Sequence, residues 1–271
     1  MSANMTRTNI ERFQEKIFSW WEKNKREFPW RKTVDPYKIM VSEFMLQQTQ
    51  TTRVVEKYNS FIEKFPTLEH LAKSDPSEVI KMWSGLGYNR RALWLQEAAQ
   101  KIVKLGFFPQ TVENLRKLKG IGFYSSRSIL IFSFNLDIAT VDTNIRRILI
   151  AEKFGNESST ENTLLTIAQK LVPKNRSRDW HNALMDYASL ELTVSKTGIR
   201  PTSTQNKFEG SDRQIRGKLL KILTKENKLT YDEIKEKIDI SGEKLQKILD
   251  SLKKDKLIVI SENLISLPGK K

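Results

Sequence analysis

Glu43 stands within the apolar segment Ile39-Met-Val-Ser-Glu-Phe-Met-Leu46, which is composed of good helix formers. A carboxyl group among apolar side chains tends to have a raised pKa, and this suits a group that donates a proton. The alternative is that Glu43 lies on the wet face of its helix, the commoner situation for a glutamate. Taken by itself, the segment favours the wet face.

Two glycines lie in the segment Leu118-Lys-Gly-Ile-Gly122, between two stretches of helical composition. Glycines in such a turn let backbone N–H groups approach a phosphate at the N-terminus of the following helix. A helix–hairpin–helix of this kind binds the DNA backbone without reading its sequence. Lys119, Gly120 and Gly122 are therefore candidate DNA-binding residues, although glycines also serve tight turns that bind nothing.

Asp142 precedes the segment Ile145-Arg-Arg-Ile-Leu149, and Asn144 lies two residues after Asp142. An aspartate at this place predicts the N-cap of the helix that follows. A buried carboxylate could also stabilise a positive charge that develops on a sugar. The two roles are compatible.

The spacing of apolar residues predicts a mainly helical body up to about residue 192. Steps of three and four residues, typical of one buried helical face, separate the apolar positions Ile10, Phe13, Ile17, Trp20 and Trp21. Asp35 and Pro36 then supply a cap and a proline for the first turn of a second helix. Nothing before residue 200 alternates convincingly as a strand does.

The C-terminal part of the chain reads as a separate unit. Residues 193–212 are rich in Thr, Ser, Lys, Gly and Pro, which indicates a linker or an irregular loop. Three helical stripes follow, the second of them opened by a capping box of Thr230 and Glu233. Two short apolar segments around Ser261-Glu-Asn263 then predict a hairpin.

Three short helices and a terminal hairpin are similar to a winged helix, whose third helix commonly enters a DNA groove. Lys244 and Lys247 of that helix are therefore candidate DNA contacts. The alternative is a packing or dimerisation module with solvated lysines. We predict a helical domain that contains the helix–hairpin–helix at 1–192, a linker at 193–212 and a winged-helix-like domain at 213–271.

Composition narrows the classes of function. The 271 residues carry 47 Lys and Arg against 32 Asp and Glu, a formal net charge of +15, and nucleic acid is the commonest partner of such a field. No apolar run approaches the roughly 18 residues of a membrane helix, and the N-terminus has no signal-peptide pattern. We expect no membrane partner and a cytoplasmic location at the nucleoid, and the sequence indicates no oligomeric state. Without cysteine and with two histidines, the chain is expected to hold no metal.

Seven colinear segments resemble the helix–hairpin–helix DNA glycosylase superfamily, and within it the MutY-type adenine glycosylases and the mismatch thymine glycosylases. The resemblance covers roughly residues 10–192. It rests on Phe28-Pro-Trp-Arg31, Asp35-Pro-Tyr37, Ser42-Glu-Phe-Met-Leu-Gln-Gln-Thr-Gln50, Trp83-Ser-Gly-Leu-Gly-Tyr88, Leu118-Lys-Gly-Ile-Gly122, Val141-Asp-Thr-Asn144 and Ala183-Leu-Met-Asp186. It implies a mainly α fold of the helix–hairpin–helix glycosylase type, and double-stranded DNA as the partner.

The resemblance also implies roles for individual residues. Glu43 matches the family's acid, Asp142 its essential aspartate, and Asn144 the asparagine of MutY-like sites. Tyr124 stands where bifunctional members have a Schiff-base lysine. A phenol cannot form the imine, so we expect base excision without efficient strand cleavage.

Three further residues match those that wedge into the duplex where the flipped base has left, namely Gln47, Gln48 and Tyr88. Stacking and hydrogen bonding there would offset the unstacking cost of a few kcal/mol.

The chain departs from the family pattern in two places. Most MutY-like proteins carry a four-cysteine iron–sulfur loop, and here the positions near the ligands are Leu192, Ile199, Thr202 and Phe208, so we expect no cluster and no other cofactor. The loop must instead be held by packing. A winged-helix-like unit also stands in place of the usual Nudix-like domain that recognises 8-oxoguanine.

The sequence favours a monofunctional DNA glycosylase that removes adenine opposite guanine or 8-oxoguanine, because Met45-Leu-Gln-Gln-Thr-Gln50 and Asn144 look MutY-like. The Phe28-Pro-Trp-Arg31 segment and Tyr187 lean instead toward thymine or uracil opposite guanine. Two more hypotheses stay open. The C-terminal unit could confer sequence specificity on a glycosylase or nicking enzyme, or the fold could bind DNA without catalysis.

Overall fold

The computed structural model describes residues 5–202 and 207–269, so residues 203–206 of the predicted linker lie outside the described residues. The described chain up to residue 202 is helical, with a 3-10 turn at Pro29–Arg31. Its helices are α1 (Arg7–Asn24), α2 (Pro36–Leu46), α3 (Thr51–Lys64), α4 (Leu68–Lys73), α5 (Pro76–Trp83), α6 (Arg90–Leu105), α7 (Val112–Arg116), α8 (Phe123–Phe134), α9 (Thr143–Ala151), α10 (Glu161–Leu171), α11 (Ser177–Leu190) and α12 (Val194–Thr197).

The C-terminal elements combine helices with a small sheet. They are α13 (Asp212–Glu226), β1 (Lys228–Thr230), α14 (Tyr231–Ile238), α15 (Gly242–Lys254), β2 (Val259–Ser261) and β3 (Leu264–Ser266). The strands are antiparallel in the order β1-β3-β2. The three helices and the hairpin predicted from the sequence are confirmed, and no described residue before Lys228 is in a strand. Strand β1 was not predicted, because it pairs with β3 and not with a strand next to it in sequence, so no hairpin signal marks it.

The described residues form two compact units that are discontinuous in sequence. The first unit comprises residues 5–39, 110–116 and 121–202, and the second comprises 40–109, 117–120 and 207–269. The boundaries expected at residues 192 and 213 remain a prediction. None of the described helices is both long and apolar enough to cross a membrane.

An aromatic core holds the first unit together. Phe13 and Ile17, on the predicted face of α1, are buried. The ring of Phe13 lies 5.0 Å from that of Phe154 and 5.5 Å from that of Trp180, in tilted and edge-on geometries. Such aromatic pairs contribute more stability to a core than the burial of their apolar area alone would give.

Asp186 on α11 is the polar centre of the first unit. Its side chain is fully buried and accepts hydrogen bonds from Trp21 Nε1 at 2.9 Å, Arg26 Nε at 2.7 Å and Arg31 Nη1 at 2.7 Å. Burial would raise the pKa of this carboxyl, but the hydrogen bonds and charge of Arg31, together with the bonds from Arg26, lower it. Asp186 thereby joins α1 and the 3-10 turn to α11.

The core of the second unit includes its C-terminal helices. Ile80 on α5 belongs to the same buried cluster as residues of α13, α14 and α15, and Leu93 on α6 packs against it. The predicted capping box is confirmed, since Glu233 N donates to Thr230 Oγ1 at 3.3 Å and Thr230 N to Glu233 Oε2 at 2.7 Å. Arg90 of α6 also pairs with Asp255 at 2.8 Å. The C-terminal segment is thus packed on α5 and α6.

Candidate active site and DNA-binding residues

Glu43 lies on α2 in the second unit and is only 7% exposed. Its neighbours in sequence, Phe44 and Met45, are fully buried, as is Met40. The interpretation that favoured the wet face is therefore wrong. Residues 39–45 of α2 are all buried, so this part of the helix has no wet face for the Glu43 carboxylate.

Asp142, in the first unit, is the N-cap of α9 as predicted. Its Oδ1 accepts from Ile145 N at 2.7 Å and its Oδ2 from Asn144 Nδ2 at 3.1 Å. Asn144 in turn accepts from Arg147 Nη2 at 2.7 Å through its Oδ1. The structure thus brings Asp142 and Asn144 together in a chain that ends on a cation.

Burial raises the pKa of Asp142, although hydrogen bonds from Ile145 and Asn144 and the charge of Arg147 oppose the increase. A carboxylate in such surroundings is oriented by its donors and is poorly solvated. Both properties strengthen its interaction with a nearby positive charge.

His181 on α11 supports the segment that leads into Asp142. Its Nδ1 lies 2.7 Å from Ser177 O, and its Nε2 lies 3.3 Å from Thr140 N. Burial lowers the pKa of His181 to about 4, so the ring is neutral at pH 7. The neutral tautomer that fits donates from Nδ1 to Ser177 and accepts from Thr140. No signal in the sequence indicated this role, since an isolated histidine has no pattern.

Tyr124 lies in the first turn of α8, in the first unit with Asp142, and is partly buried. The preceding Phe123 is 46% exposed, and the guanidinium groups of Arg116 and Arg127 lie 5.7 and 5.0 Å from its ring centre. The start of α8 therefore presents an aromatic ring flanked by cations.

Two candidate wedge residues adopt left-handed backbone conformations. Gln48 has φ of 55° and Tyr88 has φ of 46°, a region that costs a residue with a side chain about 1–3 kcal/mol. Gln48 is exposed, and Gln47 and Tyr88 are partly buried. Strained residues persist only where their surroundings fix them.

Arg91, in the second unit, fixes the two turns that contain Gln48 and Tyr88. The sequence analysis did not identify this residue. Its buried guanidinium donates from Nη1 to Phe44 O and Gln47 O, both at 2.6 Å, and from Nη2 to Gly87 O at 3.0 Å. A further bond runs from Nε to Tyr88 O at 3.4 Å. Burial lowers the pKa of Arg91 to about 10, so the group still carries its charge at pH 7.

Replacing Arg91 by Lys is expected to reduce the free energy of unfolding by about 3 kcal/mol, because one ammonium cannot satisfy carbonyls on both turns. Urea unfolding at pH 7 measures the loss. Arg90→Lys is the matched control, since Arg90 is exposed and its charge partner is Asp255. Equal losses in the two variants would contradict the assignment of Arg91 as the residue that holds the turns.

The glycines at 120 and 122 differ in what they require. Gly120 has φ of +83°, and a Cβ there would lie 2.7 Å from a ring carbon of the buried Phe44 and 3.1 Å from one of Trp94. Its carbonyl accepts from Gln47 Nε2 at 3.1 Å. Gly122 caps α8 with φ of −86°, and a Cβ there would meet nothing within 4 Å. Packing thus explains Gly120, whereas Gly122 leaves space beside the helix N-terminus.

The remaining basic candidates are on the surface of the second unit with acidic partners. Lys119 Nζ lies 3.4 Å from Glu97 and Lys247 Nζ lies 2.7 Å from Glu243. Lys244 Nζ lies 3.9 Å from Asp212. Their role in DNA binding remains a prediction.

The segment that stands in place of an iron–sulfur loop has no suitable ligands. Leu192, Ile199, Thr202 and Phe208 lack metal-binding side chains, and the chain has no cysteine. Within residues 5–202 and 207–269, no group of three His, Asp or Glu could hold a metal ion. In the first unit Ile199 is buried and Leu192 O accepts a hydrogen bond from Arg147 Nε, so packing and hydrogen bonding hold this part of the segment.

Comparisons with known proteins agree with the fold. A family model described as HhH-GPD superfamily base excision DNA repair protein matches residues 41–174. An adenine DNA glycosylase of Mycolicibacterium smegmatis is 34% identical over 76% of this chain and 78% of that protein. The adenine DNA glycosylase of Rattus norvegicus is 33% identical over 78% of this chain, which spans 44% of the rat protein. A solved thermostable thymine-DNA glycosylase aligns with a TM-score of 0.64 and 28% identity over 69% of this chain and 89% of that one.

Proposed function

The chain belongs to the HhH-GPD superfamily of base excision DNA repair proteins as a DNA glycosylase, and on that premise we propose that its target is adenine opposite guanine or 8-oxoguanine. The observation that carries this proposal is the bonded pair of Asp142 and Asn144 at the start of α9. Similarity to adenine DNA glycosylases supports the choice of base.

The proposed reaction is hydrolysis of the N-glycosidic bond of a flipped nucleotide. The bond between the base and C1′ breaks, its electron pair leaves with the base, and Glu43 donates a proton to the base or to its hydrogen-bond network. Asp142 stabilises the oxocarbenium-like sugar. Water then adds to C1′ and loses a proton to the Glu43 carboxylate, which restores the acid, with Tyr124 and Asn144 positioning the sugar and the water.

We further propose that the enzyme is monofunctional. Tyr124 offers no amine to form an imine with the sugar, so the product strand stays intact until alkali cleaves it. No step requires a cofactor, and the donor set for an iron–sulfur cluster is missing from the sequence.

Double-stranded DNA is the proposed partner, and its contacts are distributed over several elements. The turn with Lys119, Gly120 and Gly122 would contact phosphates, and Gln47, Gln48 and Tyr88 would wedge into the duplex. Lys244 and Lys247 on a winged-helix-like C-terminal unit would extend the contact. We therefore propose a location with the chromosome, in the cytoplasm at the nucleoid.

The two hairpin glycines provide a matched pair of variants. Gly120→Ala is expected to lose about 2 kcal/mol of unfolding free energy, because its backbone is left-handed and its methyl group meets Phe44. Gly122→Ala is expected to keep its stability but bind duplex DNA several-fold more weakly, because its methyl group occupies space that a phosphate would approach. Urea unfolding and duplex titration separate the two effects; a Gly122→Ala protein with undiminished DNA affinity would exclude phosphate binding at this helix start.

Thymine opposite guanine is the second candidate target. The 28% identity to a thymine-DNA glycosylase of similar fold supports it.

A panel of end-labelled duplexes decides between the candidates. It contains A opposite 8-oxoguanine, A opposite G, T opposite G, U opposite G and a fully paired control, each analysed with and without hot alkali. We expect alkali-dependent cleavage at adenine. Cleavage at thymine or uracil alone would replace the proposed target, and cleavage without alkali would contradict the monofunctional assignment.

A further inference from the structure

The C-terminal segment contacts the candidate wedge residue Tyr88 directly. Arg213, in the first turn of α13, donates from Nη1 to the Tyr88 hydroxyl at 2.6 Å. The guanidinium centre lies 5.4 Å from the centre of the Tyr88 ring and 5.3 Å from that of Phe208, which is 55% exposed. The Arg213 guanidinium thus makes one charged hydrogen bond and two ring contacts within the second unit.

Helix α13 is a rigid base for this contact. Its N-cap Ser211 accepts from Gln214 N, and Gln214 Oε1 accepts in return from Gly210 N at 2.7 Å. Leu219 of the same helix is fully buried in the core that α13 shares with α5. The position of Arg213 is therefore fixed relative to α5 and α6.

Tyr88 is consequently held at both ends. Arg91 bonds its carbonyl at 3.4 Å, and Arg213 bonds its hydroxyl at 2.6 Å. The backbone of Tyr88 is left-handed, a conformation that an unrestrained chain rarely adopts at a residue with a side chain. A side chain that is already ordered loses less conformational entropy when it inserts between bases.

We propose that Arg213 is a positioning residue for the wedge, so that the C-terminal unit takes part in probing the duplex at the damaged site. This inference rests on the proposed function of Tyr88. It assigns to the C-terminal unit a role in discriminating a disrupted site from paired DNA, in addition to any contact made by α15.

The test uses the full-length protein and a duplex with a tetrahydrofuran abasic site, with 2-aminopurine in the opposite strand beside the base that faces it. Insertion of a wedge unstacks the 2-aminopurine and raises its fluorescence. Titration gives the Kd for this duplex and for its fully paired counterpart. The readout needs no base release, so a protein that gives the signal without releasing any base would support this inference and refute the proposed function.

Arg213→Met and Tyr88→Phe are each expected to reduce the preference for the abasic duplex by about tenfold, as for loss of one hydrogen bond from a charged donor. The double variant is expected to lose no more than Arg213→Met alone, because Arg213→Met already removes the bond that Tyr88→Phe removes. Arg216→Met is the matched control. Arg216 lies one turn further along α13 and bonds Ser251 and Asp255, without a bond to Tyr88.

Four results would overturn the proposal. They are an unchanged fluorescence signal and preference in Arg213→Met, additive losses in the double variant, an equal loss of preference in Arg216→Met, and a wild-type protein that gives no fluorescence change. Urea unfolding of every variant shows whether a loss of preference merely follows a loss of stability.

Discussion

Asp142→Asn is expected to lower the single-turnover rate of base release by about 10³-fold while leaving the Kd for duplex DNA nearly unchanged. Asparagine is as good an N-cap as aspartate, so the start of α9 is preserved. The substitution removes the negative charge that would stabilise the sugar cation. The rate loss therefore reports electrostatic stabilisation and not a disturbed fold.

Asp137→Asn is the matched control for this experiment. Asp137 lies in the same unit, is exposed, and accepts from Asn175 N at 2.9 Å. We expect it to release base at the wild-type rate. Full activity in Asp142→Asn would show that Asp142 has no part in the mechanism. If the variant unfolded at a lower urea concentration than the wild type, its loss of activity would follow from lost stability.

The raised pKa of Asp142 gives this mechanism a pH dependence. Only the ionised form stabilises the cation, so the rate should fall as the pH decreases through the raised pKa. The acid limb of the single-turnover profile should therefore lie at a higher pH than for an ordinary aspartate. A limb at the ordinary position, at about pH 4, would show that this group does not control the rate.

Asp186→Asn is expected to cost about 3–5 kcal/mol of unfolding free energy, because it leaves Arg26 and Arg31 without their buried counter-charge. Urea unfolding at pH 7 measures the cost. Glu11→Gln removes an exposed pair with Arg7 and should change little. If the two variants lost similar amounts, Asp186 would not be the polar centre of its unit.

The same carboxylate predicts how stability varies with pH. The pKa of Asp186 is lower in the folded protein than in the unfolded chain, so its contribution is fully present above the unfolded pKa of about 4. It is lost as the pH falls below that value through the folded pKa. The difference in stability between wild type and Asp186→Asn should therefore shrink in acid, and a constant difference from pH 7 to pH 2 would contradict the ion pairs.

Local signals in the sequence predicted the helical body and several caps. The steps of three and four in α1, the Asp142 cap and the capping box of Thr230 and Glu233 are all present. Each depends on residues within a few positions of one another, so a short window of sequence contains the whole cause.

Burial of Glu43 depends on what covers α2, and that information is not local. Its segment is apolar on every face, and periodicity identifies a wet face only where one side of a helix is polar. The apolar composition of the segment on every face is the signal that indicates burial of Glu43. The general tendency of glutamates to be exposed points the other way.

The residues that hold the candidate site residues or their flanking segments in place could not be predicted from the sequence, because their hydrogen-bond partners are far away along the chain. Arg91 bonds a carbonyl 47 positions away, His181 an amide 41 positions away, and Arg213 a hydroxyl 125 positions away. Single arginines and histidines of this kind have no spacing pattern, and only the folded backbone brings their partners within reach.

Free base released from a duplex with A opposite 8-oxoguanine tests the central claim most directly. Wild-type protein, Asp142→Asn and Glu43→Gln would be incubated with this duplex and with its paired counterpart, and free adenine would be quantified by mass spectrometry. The account predicts one free adenine per abasic strand for the wild type, almost none for either variant, and none from paired DNA. No free base from this or any further mismatched duplex, despite tight duplex binding, would contradict it and identify the chain as a DNA-binding protein without glycosylase activity.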